Sequence, residues 1–168
     1  MTKVMPSREA LLAVLDEVMD PEVPVVSVVE LGVVRDVAVE EDAVVVTITP
    51  TYSGCPAMRE IEQEIERALL AHGAERVRIR TVYSPAWTTD WIGPAAREKL
   101  RAYGIAPPGR APSADEELVP LRRRREAVAC PYCGSAQTEL RSAFGSTSCK
   151  SIHFCNACRQ PFEQFKAI

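Results

Sequence analysis

Six cysteines are spread unevenly through this 168-residue sequence: one stands at position 55 and five follow residue 129. Cys130 and Cys133 flank Pro131-Tyr132, Cys155 and Cys158 flank Asn156-Ala157, and 21 residues separate the two C-x-x-C pairs. Each pair makes a turn that aims two thiolates at one ion, and two such knuckles close a tetrahedron. Zinc is the expected ion, and a rubredoxin-like iron site has the same ligands. Gly134 after the first pair supplies the left-handed conformation such a turn needs; the second pair has Arg159 there. Around these cysteines stand few large apolar side chains, so metal binding must supply the missing folding free energy, on the order of 10 kcal/mol.

Two thiols remain. Cys149 lies in the excursion between the knuckles, preceded by Gly145-Ser146-Thr147-Ser148, and reads either as a small buried hydrophobe or as a second functional thiol. Cys55 sits in TYSGCPAM, where Gly54 permits close approach and Pro56 suits the first position of a helix over 56–71. This makes Cys55 the expected N-cap, and the positive end of the helix dipole stabilises negative sulfur there. The chain physics leaves three roles for it: a covalent nucleophile, one ligand of a transient metal cluster, or an inert cap. A single cysteine cannot hold a cluster alone, so a carrier role calls on a second thiol, and Cys149 is the candidate within the chain. His72 falls at the far end of that helix, and His153 is expected to be a surface or packing residue.

The elements that must position these groups are legible from periodicity. Leu11, Leu12, Leu15 and Val18 form one helical stripe with Ser7 as N-cap, ending near Asp20-Pro21. VVRDVAVE and AVVVTITP read as an antiparallel hairpin, although Glu41-Asp42 lacks the usual Asn-Gly signal. Met58, Ile61, Ile65, Ala68 and Leu69 recur at helical spacing, RVRIRTV alternates as a half-buried strand, and a short helix begins near Gly93-Pro94. The expected architecture is a compact α+β domain of order α-β-β-α-β-α over residues 1–103. A proline- and glycine-rich linker over 104–125 and a metal-binding ribbon over 126–168 follow.

Composition narrows the function. Residues 1–120 hold 12 basic and 20 acidic side chains, residues 121–168 hold 8 and 3. The basic tail with its RRRR run at 122–125 raises a nucleic-acid contact, which the acidic first part opposes. No run approaches the roughly 18 to 20 apolar residues of a membrane-spanning helix, and the N-terminus turns acidic before any signal-peptide core, so a cytoplasmic protein is expected. With two histidines, no Glu-x-x-His pair and no glycine-rich dinucleotide fingerprint, the chain is not a self-sufficient oxygenase.

Two stretches carry a resemblance. DPEVPVVSVVELGVVRDV at 20–37 and TITPTYSGCPAM at 47–58 resemble the iron-sulfur assembly domain family that includes SufT-like proteins. In its bacterial members an Asp-Pro-Glu motif opens the domain and a Thr-x-x-x-Cys-Pro motif carries the reactive cysteine. Asp20, Pro21 and Glu22 match the first, and Thr51, Cys55 and Pro56 the second. PAWTTDWI at 85–92 is similar to the segment closing that domain. The tail from Cys130 is similar to the zinc-ribbon extension of one branch, the PaaD (or PaaJ) accessory subunits of phenylacetyl-CoA epoxidase.

The resemblance implies an iron-sulfur assembly-type fold and a non-catalytic role in phenylacetate degradation. It also implies a structural zinc, a transient iron-sulfur cluster, and epoxidase subunits, the [2Fe-2S] reductase above all, as partners; a homodimer is compatible with it. Cys55 and Cys149 would be the cluster- or metal-transfer thiols, with Asp20, Glu22 and Thr51 supporting them. Asp20 and Glu22 read equally as turn and helix-boundary residues. The alternative roles are a scaffold in which no thiol reacts and, behind it, a nucleic-acid module.

Overall fold

Ser7 opens the first helix, α1 (Arg8–Leu15), by accepting a hydrogen bond from the Ala10 N–H through its hydroxyl at 3.2 Å. The structure, a computed structural model, describes residues 6–110 and 127–168. Leu11 and Leu15 are buried as the stripe requires, but the helix ends at Leu15, before Val18. The next N–H groups, of Glu17 and Val18, bond to the carbonyls of Val14 and Leu15 in a tighter turn, and Ser27 donates its hydroxyl to the Asp16 carboxylate. The helix therefore closes in i→i−3 bonds ahead of Asp20-Pro21.

The two valine-rich runs form β1 (Val34–Glu40) and β2 (Ala43–Ile48), paired antiparallel with Glu40 opposite Ala43. The two-residue loop works without glycine because Glu41 takes a φ of 54°, which the turn needs. Helix α2 (Met58–Ala71) then carries the chain to β3 (Val77–Thr81), which pairs parallel with β2 to give the order β1-β2-β3. A parallel neighbour needs such a crossover. Val44, Val46 and Ile48 of β2, with Ile61, Ile65 and Leu69 of α2, are almost fully buried. Polar and charged residues cover the outer side of α2, as period 3.6 demands. On β3, Arg78 and Arg80 reach Glu40 at 3.8 and 3.4 Å. These elements belong to the first compact unit, which runs to Trp87, whose ring N–H donates to the Leu31 carbonyl at 3.0 Å. The α+β fold expected from the sequence is the one observed.

The second unit runs from Thr88 to Ile168. A 3-10 turn (Thr89–Trp91) precedes α3 (Pro94–Ala102), with Pro94 at the helix start, where its missing N–H costs nothing. Arg97 of α3 donates to the carbonyls of Thr89, Ile92 and Pro108 at 2.8, 2.9 and 2.6 Å. Ile105–Ala106, in the stretch that composition reads as linker, form β4, and both are buried. They pair parallel with Glu163 and Gln164. Completing the sheet are β5 (Thr138–Ser142), β6 (Lys150–Cys155) and β7 (Pro161–Phe165), in the order β4-β7-β6-β5. The arginine run at 122–125 and the acidic cluster before it lie outside the described residues. Among the described residues, no helix is long and apolar enough to cross a membrane.

Candidate metal centre and thiol site

The two knuckles share one backbone pattern. In the first, the Gly134 N–H bonds to the Cys130 carbonyl at 2.9 Å and the Cys130 N–H to the Ser135 carbonyl at 3.0 Å. In the second, Arg159 N–H reaches the Cys155 carbonyl and Cys155 N–H the Gln160 carbonyl, both at 2.9 Å. Gly134 adopts a φ of 75° and Arg159 a φ of 62°. The absence of glycine at the second knuckle therefore leaves its geometry intact, at a cost of roughly 1 kcal/mol for a side chain in the left-handed region.

The turns bring Cys130, Cys133, Cys155 and Cys158 together, with all four sulfurs within 4.8 Å of one another. Cys130 Sγ lies 3.7 Å from Cys158 Sγ, and Cys133 Sγ lies 3.6 Å from Cys155 Sγ. A tetrahedron of metal–sulfur bonds of about 2.3 Å has edges of about 3.8 Å, so the donor set already has the size a four-thiolate metal site requires. Cys130 and Cys155 are buried against Ala106 and Phe162, with Val128 packed alongside. Cys133 is exposed.

The Cys155 thiol is lowered to about 7, first by the backbone N–H of Cys158 and against burial, with smaller help from the Ala157 N–H and the Cys133 and Cys158 side chains. Cys158 is pushed up to about 12, first by burial and then by the neighbouring sulfurs of Cys155, Cys133 and Cys130. The two neighbouring thiols are pushed in opposite directions. Four thiolates at this spacing need a positive ion among them, and all-sulfur donors select zinc or iron. The cluster is a metal-binding site.

Cys55 occupies a different setting. It is half-buried, its N–H bonds to the Tyr52 carbonyl at 3.2 Å, and its own carbonyl accepts from Met58 N–H at 3.3 Å. It is not the N-cap: α2 begins at Met58 with Ala57 at the cap and no side-chain capping bond. Ala57 already has helical angles, and the first i→i−4 bond runs from Ile61 to Ala57, so Cys55 belongs to the turn before the helix. Gly54 takes a φ of 84° with open space where a side chain would be, so its role is backbone conformation rather than close approach. Thr51 is buried.

Asp20 is buried and its carboxylate accepts from the N–H groups of Glu22 and Val23, both at 2.8 Å. These bonds organise the 20–26 turn, while Glu22 is half-exposed. Cys149 is buried, 3.0 Å from the Thr147 hydroxyl, and stands outside the four-sulfur cluster. Cys55 and Cys149 fall in different compact units. His153 is a packing residue, stacked on Phe162 with centroids 5.5 Å apart and its Nε2 3.1 Å from Ser151 Oγ. His72 closes α2, at the end away from Cys55.

Sequence reasoning missed the Lys150–Glu163 pair, 3.2 Å apart with the lysine side chain 4 % exposed. Burial pushes the Glu163 carboxyl up, but the Ser146 N–H and hydroxyl and the Lys150 ammonium outweigh it and hold it below the usual range. Nothing in the residue types around Lys150 signals that a lysine is interior.

Known proteins give this geometry a place. Residues 114–166 match the family profile described as PaaD zinc beta ribbon domain, and residues 8–80 match iron-sulfur cluster assembly protein. A protein of Escherichia coli (strain K12), provisionally named as a component of 1,2-phenylacetyl-CoA epoxidase, is 43% identical over 97% of this chain and 94% of its own. The chain belongs to the PaaD family. The family's first half also has relatives beyond it. The Fe-S protein maturation auxiliary factor YitW of Bacillus subtilis (strain 168) is 35% identical over 55% of this chain and 92% of its own. A crystal structure of a domain of unknown function, DUF59, from Bacillus anthracis is 30% identical with a TM-score of 0.52, covering 55% of this chain and 90% of that one.

Proposed function

We propose that this PaaD-family protein is a non-catalytic accessory subunit of a phenylacetyl-CoA epoxidase that helps assemble a metal centre of the complex, the [2Fe-2S] cluster of its reductase above all. The similarity to a named epoxidase component and to an Fe-S protein maturation factor supports the reading. The observation that carries it is the placement of Cys55: a half-exposed residue in the turn before a 14-residue helix whose start has no side-chain cap.

Iron or a labile cluster is the cargo. Cys55 Sγ gives up its proton as it bonds iron, and a client thiolate displaces it without a change of oxidation state as the proton returns. Asp20 fixes the 20–26 turn, Glu22 belongs to its Asp-Pro-Glu motif, and Thr51 belongs to the Thr-x-x-x-Cys-Pro motif of Cys55. Cys149 is the second thiol in this reading. The four-sulfur cluster holds zinc as a structural ion, the choice that tetrahedral all-cysteine knuckles favour.

In a strain that needs this chain for growth on phenylacetate, Cys55→Ser is expected to abolish growth and Cys149→Ser to slow it. Growth of the Cys55→Ser strain at the wild-type rate would leave the scaffold role, in which no thiol reacts.

A further inference from the structure

Two backbone irregularities of the ribbon carry arginines to one ring. Arg159 holds the left-handed conformation that the equivalent position of the first knuckle gives to Gly134. Arg141 is the extra residue of a β-bulge in β5, where Leu140 pairs with His153 and Ser142 with Ile152. Their guanidinium carbons lie 5.2 Å (Arg141) and 5.4 Å (Arg159) from the centroid of half-buried Phe154. A strained residue and a bulge converging on the same side chain point to use rather than accident. We propose that this cation–aromatic face of the ribbon docks an acidic polypeptide surface, with Arg159 as its principal contact.

The charge count favours that occupant. Of the cations in residues 127–168, Lys150 is buried against Glu163 and Arg141 pairs with Glu139. Arg159 is exposed and makes no ion pair among the described residues. Lys166 lies 4.8 Å from the centroid of exposed Phe144, but at the opposite end of β6 from Phe154, so it is not part of this face. A guanidinium fork matches a carboxylate in two parallel hydrogen bonds, and the Phe154 ring beneath Arg159 shields one side of the fork from water. Nucleic acid fits less well: the π-cloud of Phe154 is committed to two guanidinium groups, whereas base stacking needs it free. This inference goes beyond the transfer role of Cys55 and stands without it.

The test uses the full chain, a fluorescein-labelled oligoglutamate peptide and an oligothymidylate of equal charge, read by fluorescence anisotropy at low salt. Arg159→Gln removes the charge and keeps the backbone cost; Arg159→Gly removes both. Both variants are expected to weaken oligoglutamate binding about three- to fivefold, and only Arg159→Gly should hold its metal longer against a chelator. Cys55→Ser should bind the peptide as wild type does, which separates this face from the transfer site. Wild-type affinity in both Arg159 variants, no binding by the wild type, or metal loss from Arg159→Gln would each overturn the proposal. Tighter binding of oligothymidylate than of the peptide would overturn it in favour of nucleic acid.

Discussion

The first unit and the knuckle end of the ribbon reach stability by different physics. The first buries an aliphatic core, with Leu15, Val26, Val28, Val44, Val46, Ile48, Ile65 and Leu69 all inaccessible. In the ribbon, the buried cluster around the knuckles consists of Ala106, Cys130, Cys155 and Phe162, so half its members are metal ligands. Burial at about 25 cal/mol per Å² suffices where the apolar area is large. Where it is small, an ion must supply the difference. Sulfur carries structure at the knuckles, whereas the core of the first unit is built without it.

Removing the metal should disturb this division most severely. Cys155→Ser, or treatment with a strong chelator, is expected to unfold the knuckles and β6, at a cost on the order of 10 kcal/mol. Amide exchange should show protection lost in β6 and β7 and kept in β2 and α2. In the other unit, Leu69→Ala leaves a cavity and costs about 3 kcal/mol by urea denaturation, with metal content unchanged.

Glu163→Gln strips the buried Lys150 of its counter-ion and should cost about 3 kcal/mol within the ribbon. Its pH dependence has a definite sign. Because the Glu163 carboxyl is held below its ordinary value, its contribution is fully present above the unfolded carboxylate range and is lost as pH falls through the folded value. The stability gap between wild type and Glu163→Gln should therefore close on acidification and remain constant from about pH 6 to 8, read by chemical denaturation with metal in excess. The smallest effect belongs to the α1 cap: Ser7→Ala should cost about 1 kcal/mol and leave the ribbon untouched.

Much of this was legible in residue types and spacing. The order of helices and strands followed from apolar periodicity, and the four ligands from two C-x-x-C pairs. What escaped was set by distant partners. The two-residue strand Ile105–Ala106 has no periodicity to detect, and its partner β7 lies far along the chain. Beyond α1 the Val28 N–H bonds back to the Val18 carbonyl and Ser27 meets Asp16, partners that helical periodicity does not show. Proline at position 56 marks a helix start only to within a residue or two, so Cys55 fell in the preceding turn. Arg159 shows the limit of reading glycine as a requirement, since a fixed pair of hydrogen bonds holds an arginine in the same conformation.

The most direct measurement co-expresses the chain, as wild type or as Cys55→Ser, with the subunits of a phenylacetyl-CoA epoxidase under anaerobic conditions and reads two metals at once. Zinc in the chain is followed by mass spectrometry and the [2Fe-2S] content of the reductase by electron paramagnetic resonance after reduction. The account predicts that the variant keeps its full zinc while reductase cluster content falls to the level found without the chain. Full cluster content beside the variant would contradict it.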